Sequence, residues 1–376
     1  MNNRFCLFWL CTVCLLSLFC PPAQALGEKE RDYMVGFRSL SSTGEKSELL
    51  NLAVWYPSGR DKRDDYSIKL GFWEIRAERN ARPASGRFPI ILLSHEMAGH
   101  YLANHDLCSA LAAAGFVVIA PLHQGDNFRN ANAIFSAASH LHRPQQLLAA
   151  LNRVKNESEL SGRLDLDRIG LLGCGSGAAT VLQLAGVGLN TTFDQPAHLQ
   201  YCAGPLAEPA FCSRWARTRF ASFANDVREI TGKYGARAFN PELPGLRAVG
   251  LLAPGGTFLL DRGELAALSV PLAAVFAGEE EIYHRPQNDT ELREMFPDPL
   301  DGLLSSTTIK DIDHFSFNAP CPGNSNEPGG PREWAELPSG LCGQAGAELR
   351  AGSGQQRNYY FISFFRASLG LPLPAE

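Results

Sequence analysis

Apolar residues fall into two alternating rhythms along this chain. Pro89-Ile-Ile-Leu-Leu-Ser94, Phe116-Val-Val-Ile-Ala120 and Ile169-Gly-Leu-Leu172 have strand length and no polar face. Between them, residues 102–114 and 144–152 carry helical spacing, the second through Leu147, Leu148 and Leu151. Pro144 suits a first helical turn and predicts that this helix begins there. Residues 33–37 and 50–57 read as earlier strands, the second stopped by Pro57. Residues 248–252, 272–277 and 306–309 read as the last strands, and 359–369 as a closing helix. Strands apolar on both faces, alternating with helices, predict a parallel sheet covered on both sides.

Two segments break the rhythm. Residues 186–244 hold a helix-like stretch with Phe220, Phe223, Val227 and Ile230 on one face. We expect an insertion packed as a lid over the carboxyl edge of the sheet. Residues 318–354 are rich in Gly and Pro and read as an irregular loop.

At the N-terminus, Arg4 precedes an almost wholly apolar run over residues 5–20, and Ala23-Gln-Ala25 fits a cleavage site. The expectation is a secretory signal over residues 1–25, with a secreted or periplasmic mature protein. The run is shorter than the roughly 20 residues of a spanning helix, so no integral membrane span is expected after cleavage. Four of the 10 cysteines lie in that segment. Of the rest, Cys202 and Cys212 are close in sequence, as are Cys321 and Cys342, and local pairing is expected. Cys108 and Cys174 read as buried free thiols. Asn156, Asn190 and Asn288 head glycosylation sequons.

A net charge of −5 and the absence of any Lys/Arg run exclude a basic nucleic-acid surface. His95, His100 and His105 lack the partners of a zinc motif, so no metal and no cofactor is expected. A hydrophobic content of 45% allows one large domain over residues 26–376.

The chemistry centres on Asp167-Arg-Ile-Gly-Leu-Leu-Gly-Cys-Gly-Ser-Gly-Ala178, a strand, a glycine-rich corner and the start of a helix. That setting, with Gly-x-nucleophile-x-Gly, is the nucleophile elbow of α/β-hydrolases. Leu52-Ala-Val-Trp-Tyr-Pro57, Phe88-Pro-Ile-Ile-Leu-Leu-Ser-His95, Gly115-Phe-Val-Val-Ile-Ala-Pro-Leu-His123 and Asp313-His-Phe-Ser-Phe-Asn-Ala-Pro-Cys321 lie around it in order. Together the chain resembles the predicted dienelactone hydrolases and the platelet-activating-factor acetylhydrolase-like esterases. The resemblance implies an α/β-hydrolase fold, with a mostly parallel sheet flanked by helices. It also implies ester or lactone hydrolysis through an acyl-enzyme on a small ester or lipid-like molecule. By position it places the base on His314, the acid on Glu280 or its neighbour Glu281, and the oxyanion loop on His95-Glu96-Met97. Asp261 is a weaker choice of acid.

The resemblance places the nucleophile on Gly175, which has no side chain. A positive-φ corner suits glycine, so the corner can be kept for folding while the attacking atom is lost. Ser176 could attack if the elbow slipped by one residue, and the Cys174 thiolate is a second substitute. Glu96 stands where the family usually has glycine. A carboxylate about 4 Å from a developing oxyanion opposes it by about 4 kcal/mol at an effective dielectric near 20, unless it faces solvent. Met97, Cys174 and Gly175 complete the expected lining. Two functions stay open: an esterase using Ser176, His314 and Glu280, or an inactive homologue binding a small molecule, lipid or protein.

Overall fold

From residue 88 onward strands and helices alternate as the apolar rhythm predicts. The structure is a computed structural model, which describes residues 33–43, 49–59, 66–71, 73–235, 237–287, 289–297, 303–319 and 347–373. The proposed signal, Cys321 and Cys342 lie outside the described residues.

The strands are β1 Met34–Thr43, β2 Leu49–Ser58, β3 Ile68–Leu70, β4 Trp73–Ile75, β5 Glu78–Arg79, β6 Phe88–Ser94, β7 Val117–Pro121, β8 Leu164–Cys174, β9 Leu246–Leu252, β10 Leu272–Glu279 and β11 Leu304–Asp313. Nine form one sheet in the order β11-β10-β9-β8-β6-β7-β2-β1-β5, and β3 pairs with β4 apart from it. From β7 to β11 every neighbouring pair is parallel. The β1–β2 and β2–β7 pairs are antiparallel.

The helices are α1 His105–Ala113, α2 Ala137–Lys155, α3 Gly177–Leu184, α4 Gln195–Cys202, α5 Arg214–Tyr234, α6 Arg262–Ala266, α7 Asp289–Met295 and α8 Ala347–Ser368. Side chains of β6 alternate between two cores. Ile90 and Leu92 join Leu147, Leu151 and Val181 of α2 and α3, whereas Ile91 and Leu93 join Leu107, Leu111, Phe361 and Phe365 of α1 and α8. Both faces are thus dry, which is why the strands carry no polar stripe.

The proline expectation needs correction. Pro144 lies inside α2, whose N-cap is Ser136, its side chain accepting from the Ser139 amide. A proline cannot donate to the carbonyl four residues back, here His140. That carbonyl accepts instead from Gln183 Nε2 on α3 at 3.1 Å, so the helix continues. The closing helix begins at Ala347, well before residue 359, and β8 and β11 are longer than their apolar centres.

The chain leaves β6 for β7 on one side, then returns to place β8 on the other side of β6. Such a reversal opens a crevice beyond the carboxyl ends of the strands, where open α/β sheets bind ligands. The loop after β6 and the corner after β8 both face it.

Residues 186–244 contribute α4, a short 3-10 turn at Pro209–Cys212 and α5. Phe220, Phe223 and Val227 of α5 are buried, as their spacing predicts. Cys202 and Cys212 form a disulfide. The Ala210 amide donates to the Ile282 carbonyl at 3.1 Å, tying the insertion to the loop after β10.

Candidate active site

The corner turns at Gly175, which has φ of +53°, while Ser176 has an ordinary helical φ of −63° and caps α3. The elbow is therefore in its unshifted register. Gly177 is forced by crowding: a Cβ there would stand 2.2 Å from the Ser94 carbonyl oxygen. At Gly175 the obstruction is different. A Cβ there would stand 1.4 Å from Oε2 of Glu96. The space a nucleophilic side chain would need is filled by a carboxylate from the loop after β6.

Four donors converge on that carboxylate. Oε1 accepts from the Met97 amide at 2.7 Å, the Ser176 amide at 3.3 Å and the Tyr283 hydroxyl. Oε2 meets Nε2 of His314 at 2.9 Å. Only an ionised carboxylate accepts at every position, and the N-terminus of α3 adds a favourable dipole. The amides of Met97 and Ser176 are the pair an elbow directs at an oxyanion, the loop residue and the residue after the nucleophile position. Glu96 does not oppose that site from beside it, nor does it face solvent: its own oxygen occupies it.

On its other side, Nδ1 of His314 meets Oε2 of Glu280 at 3.0 Å. Oε1 of Glu280 accepts from the amides of Ile282 and Tyr283, each at 3.0 Å. Of the candidate acids, Glu280 is the one in contact with His314. Glu281 is exposed, and Asp261 caps α6. A register shift between Ala277 and Glu279, with Asp311 at φ of +60°, lies just before the points where both residues leave their strands. Bulges often re-aim side chains beside sites in this way.

His314 is buried, which alone would strip its proton. Hydrogen bonds and charge from Glu280 and Glu96 outweigh burial and lift its pKa to about 10. At neutral pH it is an imidazolium held between two carboxylates, a donor at both nitrogens.

Ser176 does not reach it. Its Oγ is buried and has no hydrogen-bond partner among the described residues. It borders a cavity of about 20 Å³ with Met97, Phe135, Arg143 and Phe211. Both imidazole nitrogens are already engaged by carboxylates, so the expected Ser176–His314 contact is absent. Burial pushes the Cys174 thiol up to about 12, against its use as a thiolate. Cys108 is likewise a buried free thiol.

Two residues were not singled out in the sequence. Tyr283 lies three positions beyond Glu280, and only the fold carries its hydroxyl to Glu96. Glu208 enters from the insertion, is buried, and accepts from the Gly256 amide at 2.9 Å. Burial, offset in part by that bond and aggravated by Glu280 and Glu96, raises its pKa to about 8.

Beneath the loop lies a second polar cluster. Arg143 donates to Asp126 at 2.7 Å, to Ser94 Oγ at 3.0 Å and to the His95 carbonyl. Asp126 accepts from the Ala98 amide at 2.8 Å. His95 accepts from the His123 amide at Nε2 and therefore donates from Nδ1 to the Glu96 carbonyl at 2.7 Å. This network fixes the backbone that carries Glu96. The only grouping of potential metal ligands among the described residues is His198 with Cys202 and Cys212, and those cysteines are bonded to each other.

Sheet order, elbow, and a histidine and a glutamate at successive strand ends define an α/β-hydrolase fold. The chain is dienelactone-hydrolase-like: residues 77–195, spanning both the Glu96 loop and the elbow, match the model of the dienelactone hydrolase family. Among solved structures it is similar to a ferulic acid esterase from Streptomyces cinnamoneus, at 16% identity and a TM-score of 0.51, covering 90% of this chain and 91% of that one. A dienelactone hydrolase-like promiscuous phosphotriesterase from metagenomic libraries aligns at 12% identity and a TM-score of 0.47, over 90% of this chain and all of that one. No curated protein matches. No helix among the described residues is long and apolar enough to cross a membrane.

Proposed function

We propose that the protein is an exported hydrolase of small organic molecules that works through a covalent intermediate resolved by water. Its reacting group is Glu96, with His314 and Glu280 as the rest of the triad. One observation carries this reading. The Glu96 carboxylate stands where the family's nucleophile would stand, with one oxygen on the imidazole and the other on the two oxyanion amides.

Carboxylates are established nucleophiles in covalent catalysis. An adduct on Oε2 would be an ester of Glu96, and the ester's carbonyl oxygen, Oε1, would already lie in the oxyanion site. Forming it would remove the charge of Glu96 from His314, leaving Glu280 as its sole carboxylate partner. The imidazole could then release its proton and act as base on water. Tyr283 would supply a third donor to the oxyanion. The absence of a side chain at 175 favoured a purely binding role. Glu96 in the same space removes that support.

The test is a panel of esters, lactones, epoxides and alkyl halides with wild type, Glu96→Gln and Ser176→Ala. Hydrolysis lost in Glu96→Gln is the expected outcome. Hydrolysis that survives Glu96→Gln and is abolished by Ser176→Ala overturns the assignment.

A further inference from the structure

We infer that the bond broken in the first step is to a saturated carbon, so that the substrates are small molecules such as epoxides or alkyl halides. This rests on Glu96 being the reacting group and narrows what it reacts with.

The reason lies in how the two Glu96 oxygens are placed. In an attack on an ester, the substrate's carbonyl oxygen must reach the oxyanion amides. Here the Met97 and Ser176 amides already hold Oε1 of Glu96, and Tyr283 donates to the same atom. The first step therefore has no donor set free for a substrate oxyanion. Displacement at saturated carbon needs none, because no tetrahedral oxyanion forms. Attack on a carbonyl would also make an anhydride by expelling an alkoxide, a far poorer leaving group than the carboxylate that attacked. Attack on saturated carbon makes an ordinary ester. The imidazolium fits as well. A protonated His314 cannot activate a nucleophile, and a carboxylate needs no activation.

The steps balance. A lone pair on Oε2 bonds to carbon as the carbon–halogen or carbon–oxygen bond breaks, and its electrons leave on the halide or ring oxygen. A ring oxygen takes the His314 proton, whereas with a halide that proton goes to solvent. Neutral His314 then removes a proton from water, whose oxygen attacks Cδ of Glu96. The resulting oxyanion on Oε1 meets the three donors already aimed at it. Collapse expels the substrate's new oxygen, which takes a proton from His314. The acid form of Glu96 returns its proton to the imidazole. The products are a diol, or an alcohol with halide and a proton.

The decisive experiment uses the His314→Gln protein, which lacks the base for the second step. It is incubated with an aliphatic epoxide or alkyl bromide and, separately, with an aryl ester. Proteolysis and mass spectrometry then locate any adduct, with Glu96→Gln as control and circular dichroism as the check on folding. We expect an alkyl adduct on Glu96 in His314→Gln, and turnover lower than wild type by roughly 10²–10⁴-fold. Wild-type turnover in heavy-oxygen water should place the label in the Glu96 carboxylate. Glu96-dependent turnover of the aryl ester, without any alkyl adduct, would overturn the substrate class and leave Glu96 as the reacting group. Folded protein showing no Glu96-dependent adduct or turnover with either class would overturn both.

Discussion

Buried histidines occupy two polar clusters around Glu96, His314 in one and His95 with His123 in the other, and they hold opposite charge states. His314 faces two carboxylates and keeps its proton to about pH 10. His95 is as buried but faces Arg143, and burial together with that cation lowers its pKa to about 3. Burial and Arg143 also drive His123 well below its ordinary value. Burial pushes every one of these rings toward the neutral form. What differs is the sign of the partner, and that decides which ring can donate from both nitrogens and which is a fixed neutral tautomer. The neutral pair holds the loop, and the charged ring meets the Glu96 carboxylate.

The comparison breaks most severely at Arg143. Arg143→Met strands the Asp126 carboxylate in the interior, and a lost buried partner costs about 3–5 kcal/mol. Chemical denaturation should show that loss. Next is Gly175→Ser, which restores the family's nucleophile but drives a Cβ into Oε2 of Glu96. Overpacking of this kind costs about 1–3 kcal/mol. The double variant Glu96→Gly with Gly175→Ser should recover most of it in the same assay.

Glu96→Gln sharpens the contrast rather than destroying it. With one carboxylate gone, the His314 pKa should fall by about 1–3 units, read by NMR titration of the ring. The two clusters also predict opposite pH limbs. His314 is raised above its ordinary 6.5, so its stabilisation is complete below that value and is lost as pH rises through about 10. His95 is depressed, so its contribution is complete above 6.5 and is lost as pH falls toward 3. Thermal unfolding against pH should flatten on the alkaline limb in Glu96→Gln and keep its acid limb. The smallest effect belongs to Ser176→Ala. Its hydroxyl has no partner to lose, so stability should move by less than about 1 kcal/mol.

Much of the fold was legible in the chain. Residues 89–94, 116–120 and 248–252 carry strand length without a polar face, and a doubly covered parallel sheet explains that. Pro144 misled because its consequence depends on Gln183, a neighbour from another helix. In the site, the family resemblance pointed to His314 and to a carboxylate at 280 or 281, and His314 does meet Glu280. Choosing between the two glutamates required knowing which one leaves the bulged end of β10 facing the ring. The two departures at positions 96 and 175 were both visible as departures. Their connection was not, because they lie about 80 residues apart and meet only where β6 and β8 end side by side.

That meeting constrains how such a site could have arisen. A side chain at 175 collides with the Glu96 carboxylate where it now lies, so the two coexist only if Glu96 swings away from the corner. Descent from a serine enzyme would pass either through a vacant corner or through a crowded one. Each position thus sets how the other side chain must lie, and in relatives the two positions should vary together.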